Sequence, residues 1–186
     1  MTKWIFEPGH SAAEFAVRHM MISHMRGLFK NVHGSIDFDP DKPADAAAVE
    51  ATINAAGIWT GDDERDAHLR GEGFLNVEKH PDIAFRSTEV RCVGEADFNV
   101  MGELTLCGVT RPVVLATHYL GRWQCPYWEG DKDLGPTTRI GFVEGAADQH
   151  GQLLDALGPD DHVDEFRAFQ QGRALLLRDA TGDRDD

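Results

Sequence analysis

Between Ala16 and Ile36 the sequence has no carboxylate at all, although 32 acidic residues against 18 basic ones leave the 186-residue chain with a net charge of -14. That excess of acid argues against binding nucleic acid or an anionic membrane surface over a broad face. Long apolar runs are also missing. None approaches the roughly 20 residues of a membrane helix, so stable membrane insertion is not expected. The opening residues, MTKWIFEPGHS, lack the charged, then apolar, then small-residue order of a secretion signal, and a cytoplasmic protein is expected. Cysteine is sparse: Cys92, Cys107 and Cys125 are an odd number with no C-x-x-C spacing. This points to reduced packing residues and away from a disulfide framework or a zinc knuckle. The nine histidines show neither H-x-H nor H-E-x-x-H spacing, and neither G-x-S-x-G nor G-x-x-x-x-G-K occurs. No metal site and no catalytic residue is therefore expected.

What the chain does have is alternation of apolar and other residues, the mark of half-buried strands. Ala13, Phe15, Val17 and His19 share one side of a first strand. Leu28 to Asp39 reads as a second, ending in the turn DPDKP, and Ala47 to Trp59 as a third. Asp82 to Val93, Phe98 to Leu106, Arg111 to Trp123 and Arg139 to Val143 follow. One segment departs from this pattern. Thr60 precedes Asp62, Asp63 and Glu64, which predicts a capped helix over Asp62 to Arg70, closed by Gly71 and Gly73. Many strands with one brief helix suggest an all-β antiparallel barrel or sandwich occupying residues 1–145. From Ala146 on there are ten acidic and four basic residues and the alternation disappears. There Val163, Phe166, Phe169 and Leu175 to Leu177 suit one face of a helix interrupted by Gly172. The segment 146–186 reads as divergent, acidic and partly disordered.

The carboxylate-free stretch has two readings. Met20, Met21, Ile22 and Met25 could form a linker at a barrel mouth, where thioethers mould to a flexible apolar ligand. Arg18, Arg26 and Lys30, with His19 or His24, would then meet a polar or anionic head group. In the other reading the methionines pack a core and the bases are solvated. Asp66 and His68 stand two apart, a spacing that points them in different directions on a helix, so they form no dyad by themselves.

The order Trp4, Glu7, His10-Ser11, Phe15, Val17, His19, Gly27, Phe29, Gly34 and Phe38-Asp39 resembles the YceI-like lipid and polyisoprenoid-binding family. The resemblance continues through Thr60, Arg65-Asp66, His68-Leu69, Phe74, Pro81, Phe85, Ser87, Gly102, Leu104-Thr105, Gly108, Thr110, Arg139 and Gly141-Phe142. It implies a lipocalin-like antiparallel β-barrel that holds an isoprenoid-type lipid, such as a polyprenyl phosphate or a quinone tail, without a chemical step and without a metal or redox cofactor of its own. It also implies that Arg65 to Leu69 is a structural element. Where the family usually has an aspartate this chain has Glu7. After Phe142 the family's closing strands are missing, which predicts a barrel incomplete at the C-terminus; a shifted reading frame near Ala147 would account for the change.

The expected lipid-binding residues are Phe15, Val17, His19, Phe29, Phe85, Phe98, Val100, Leu104 and Leu115, with Arg18, His19 and Arg26 near the head group. Two alternatives remain. One is a hydrolase or isomerase acting on a lipid phosphate through His19 or His68. The other is an interaction module, a homodimer for instance, formed through an open sheet edge.

Overall fold

The computed structural model describes residues 1–7, 9–19, 22–42, 48–129, 132–144 and 174–179, with backbone alone for 17–19, 127–129, 132–135, 144, 174–176 and 178–179. The alternation becomes strands. In β8 (Asp97–Leu106), Phe98 and Val100 are 2% and 6% exposed while Asp97 and Glu103 face out. With β1 (Thr2–Phe6), β4 (Val32–Phe38), β5 (Ala48–Asn54), β7 (Asp82–Cys92), β9 (Val109–Glu129), β10 (Lys132–Glu144) and β11 (Ala174–Asp179) it forms a closed barrel. The ring order is β1-β11-β10-β9-β8-β7-β5-β4, and every neighbouring pair is antiparallel. Eight strands make an interior about wide enough for side chains or one slender ligand.

The ring is closed, contrary to the incomplete barrel expected from the missing family ending. Leu175 to Leu177 belong to a strand and not to a helix, because β11 fits between β10 and β1. Leu177 pairs with Ile140 on one side and Phe6 on the other and is wholly buried. The apolar triplet has no helical period to display; its neighbours decide its conformation. Val163, Phe166 and Phe169 lie outside the described residues. Closure also removes the barrel edge on which the interaction-module alternative rested.

Three further expectations are corrected. The stretch Leu28 to Asp39 is two strands, β3 (Ser23–Lys30) and β4, because Asn31 between them adopts a φ of 61° and turns the chain. The first strand is β1, ahead of β2 (Ala12–His19). Helix α1 (Asp63–Arg70) is capped by Asp62, whose carboxylate accepts from the Arg65 N–H at 3.0 Å, and not by Thr60. Thr60 is occupied elsewhere: its hydroxyl and its N–H both donate to the buried Asp66 carboxylate, at 2.6 and 2.9 Å.

β2, β3 and β6 (Ile58–Trp59) form a separate three-stranded sheet. It meets the barrel where β5 ends: β3 contacts β5 and the 3-10 turn Ala55–Gly57, and Ala13 packs against the core around Trp4, Phe6 and Val32. Gly34 marks a close approach of β4 to β5. Its φ is 154°, and a Cβ there would sit 2.0 Å from the Glu50 carbonyl oxygen.

Candidate ligand cavity

Inward-facing residues of the ring enclose a cavity of about 70 Å³. Ile36 and Phe38 of β4, Val49 of β5, Val90 of β7, Phe98 and Val100 of β8 and Leu115 of β9 line it, with Phe6 and Phe142. Asp37 and Thr117 are the only polar residues in the lining; Asp37 sits between inward-facing Ile36 and Phe38, and the Thr117 hydroxyl donates to the Phe98 carbonyl at 3.3 Å. A space so lined offers water too few partners to hold it. It lies toward the end of the barrel where β5 begins and β7 ends, as Ala48 and Val90 show. Beneath it Phe85 and Val113 pack with Leu104 against Val100 and Leu115 of the cavity wall.

The size is a finding in itself. A single benzene ring is accommodated by an apolar cavity of about 150 Å³, so this cavity at rest has less than the room of one five-carbon isoprene unit. Aromatic rings crowd its wall. Phe38, 1% exposed, has ring centroids 6.1 Å from Phe98, 5.0 Å from Tyr119 and 5.1 Å from Phe142. Burial pushes the Tyr119 phenol up from its ordinary pKa; the Arg122 charge lowers it and Asp41 raises it. Arg122 of β9 forms a two-pronged ion pair with Asp41, beyond the end of β4, at 3.2 and 3.3 Å. In the ring β4 and β9 are four places apart in either direction, so both the ion pair and the Phe38–Tyr119 contact cross the barrel from wall to opposite wall.

Phe98, Val100 and Leu115 of the expected set line this cavity, while Phe85 and Leu104 pack beneath it. Phe15 and Phe29 are elsewhere: their rings pair at 5.5 Å within the three-stranded sheet. The side chains of Val17, Arg18 and His19 lie outside the described residues, as do Met20 and Met21. Arg26 and Ile22 are exposed, and Lys30 stands 5.1 Å over the Trp59 ring. This sheet meets the barrel at the end of β5, whereas the cavity is at its start. His68 is exposed on α1 with its ring edge against Phe74 at 4.9 Å. Among the described residues no three His, Cys, Asp or Glu side chains gather to hold an ion.

Sequence reasoning missed Phe6, Val49, Val90, Phe142, Tyr119, Arg122 and Asp41. The period-two pattern carries a signal for the apolar ones, but nothing in the sequence shows that Asp41 and Arg122 meet across the ring.

A buried ion pair stands apart from the cavity. Arg139 Nε and Nη2 donate to Glu7 Oε2 and Oε1, both at 2.9 Å, with the side chains 10% and 9% exposed. Bonding to Glu7 raises the Arg139 pKa above its ordinary value. The third guanidinium nitrogen, Nη1, touches Cys125 Sγ.

Comparison with known proteins agrees with this architecture. The UPF0312 protein of Ectopseudomonas mendocina is 40% identical over 69% of this chain and 76% of its own length, and that of Pectobacterium carotovorum 42% over 81% of both. Among solved structures, the YceI protein of Campylobacter jejuni aligns with a TM-score of 0.65 at 24% identity, covering 87% of this chain and 88% of that one. A polyisoprenoid binding domain from Saccharophagus degradans aligns with a TM-score of 0.53 at 13% identity, covering 96% and 95%. At such identities these structures share the fold. The model of the YceI-like domain matches residues 4–148, nearly the whole described barrel, and the chain belongs to that family.

Proposed function

We propose that this protein binds an isoprenoid-type lipid, taking the tail into the barrel and carrying out no chemical step on it. The observation that carries the reading is the cavity, enclosed by a closed ring and lined almost wholly by apolar side chains. The polyisoprenoid binding domain from Saccharophagus degradans, which shares the fold, supports the choice of ligand class. Since the cavity at rest holds about 70 Å³, a tail enters only as the aromatic rings around Phe38 swing aside. The driving force is sufficient. A twenty-carbon tail at about 0.8 kcal/mol per buried carbon gives a gross ~16 kcal/mol, against which stand the costs of association and of moving the rings.

The test is native mass spectrometry of the protein purified from its own cells, followed by titration with geranylgeraniol. A co-purifying lipid or saturable one-to-one binding supports the reading; a lipid-free protein that ignores geranylgeraniol refutes it. The enzyme alternative through His19 or His68 predicts turnover of a lipid phosphate, lost in His19→Ala and His68→Ala. Binding without turnover in the wild type excludes it.

A further inference from the structure

The mouth above the cavity is spanned twice along one diameter of the ring. The Phe38 ring, part of the cavity wall, meets the Tyr119 ring, and Arg122 and Asp41 meet close enough to that phenol to act on its charge. Arg122 pairs in register with Ile140, which is wholly buried, so it starts from the inward face of β9, at the mouth. Its side chain is 45% exposed and that of Asp41 74% exposed, so solvent reaches the pair and weakens it. A guanidinium in that setting exchanges a carboxylate readily for a better-matched anion, and its planar fork suits phosphate oxygens.

Resting on the function proposed above, we propose that Arg122 and Asp41 form a latch across the mouth, opened by an anionic head group that takes the place of Asp41 on Arg122. The ligand class is then an isoprenoid phosphate or diphosphate in preference to a neutral alcohol or quinone. Displacing Asp41 frees the wall that carries Phe38 from the wall that carries Tyr119, and the tail follows the head group inward. Head-group recognition belongs to Arg122 of β9, at the mouth, and not to Arg26 on the separate sheet.

Two measurements test this independently. Amide hydrogen exchange reads the latch without any lipid. Asp41→Asn and Arg122→Gln each speed exchange of the amides between Phe38 and Asp41 and between Ala116 and Arg122 by about 1.5- to fivefold, the range an exposed ion pair supports. Amides around Ile83 and Phe85 do not change, and the swapped pair Asp41→Arg with Arg122→Asp returns the mouth to the wild-type rate. Unaltered exchange in both single variants overturns the latch. Binding of geranylgeranyl diphosphate against geranylgeraniol then reads the head group. The wild type and Asp41→Asn favour the diphosphate, and Arg122→Gln loses that preference. A preference retained in Arg122→Gln, or absent from the wild type, overturns the assignment of Arg122. If the wild type takes up neither compound, the lipid reading and the head-group role fall together, while hydrogen exchange still decides the latch.

Discussion

Replacing Glu7 by Gln removes the counter-charge of a buried guanidinium and leaves everything around it in place. The pair joins the end of β1 to β10 and thereby straddles β11, the strand that closes the ring. Arg139 and Glu7 are 8% and 7% exposed, and both carboxylate oxygens are engaged at 2.9 Å, so water cannot substitute for the lost charge. Breaking a buried pair by removing one partner costs about 3–5 kcal/mol. For a chain of this size that lowers the melting temperature by about 6–20 °C, at 2–4 °C per kcal/mol. Urea unfolding followed by circular dichroism at neutral pH measures it directly. The Glu7→Leu, Arg139→Met double variant takes both charges away and should recover most of the loss, because two apolar groups of similar volume need no compensation. A Glu7→Gln cost below about 1 kcal/mol, or a double variant as unstable as its two single variants combined, refutes the reasoning.

Phe38→Ala destabilises by about 3–5 kcal/mol, the cost of emptying a core site 1% exposed, yet it enlarges the cavity and should tighten geranylgeraniol binding. Chemical unfolding and a binding titration on the same variant check both directions. Gly34→Ala loses about 1–3 kcal/mol or more from its φ of 154° and the clash with the Glu50 carbonyl; wild-type stability in that variant contradicts the close approach. Tyr119, one of two tyrosines, ionises later than a free phenol because burial raises its pKa. The unfolded chain therefore releases that proton first, and the wild type loses stability relative to Tyr119→Phe as pH rises above about 10. Ultraviolet difference titration of the two proteins gives the midpoint, and a value at or below 10 contradicts the burial.

The strands were legible because a half-buried strand prints its two faces as alternation. Phe98, Val100 and Leu115 could be named as interior residues for that reason. Phe15 and Phe29 carry the same pattern in the separate sheet, since alternation records burial and not which body does the burying. β1 is only five residues long, too short for a period to stand out, and the break at Asn31 depends on one backbone angle. β11 was illegible because three successive leucines have no period; its state follows from the gap between β10 and β1. The Asp41–Arg122 and Glu7–Arg139 pairs join residues 81 and 132 positions apart, and only the closed ring brings them together. Local propensity contains nothing about either.

The central claim is that the interior of the ring opens for an isoprenoid tail. Methyl-labelled nuclear magnetic resonance during titration with geranylgeraniol addresses it most directly, with Val49, Val90, Val100 and Leu115 as reporters on the cavity wall. The account predicts saturable shifts at those four residues, with Val109 and Val114 on the exterior unmoved. Shifts confined to exterior methyls, or none at all, would contradict it.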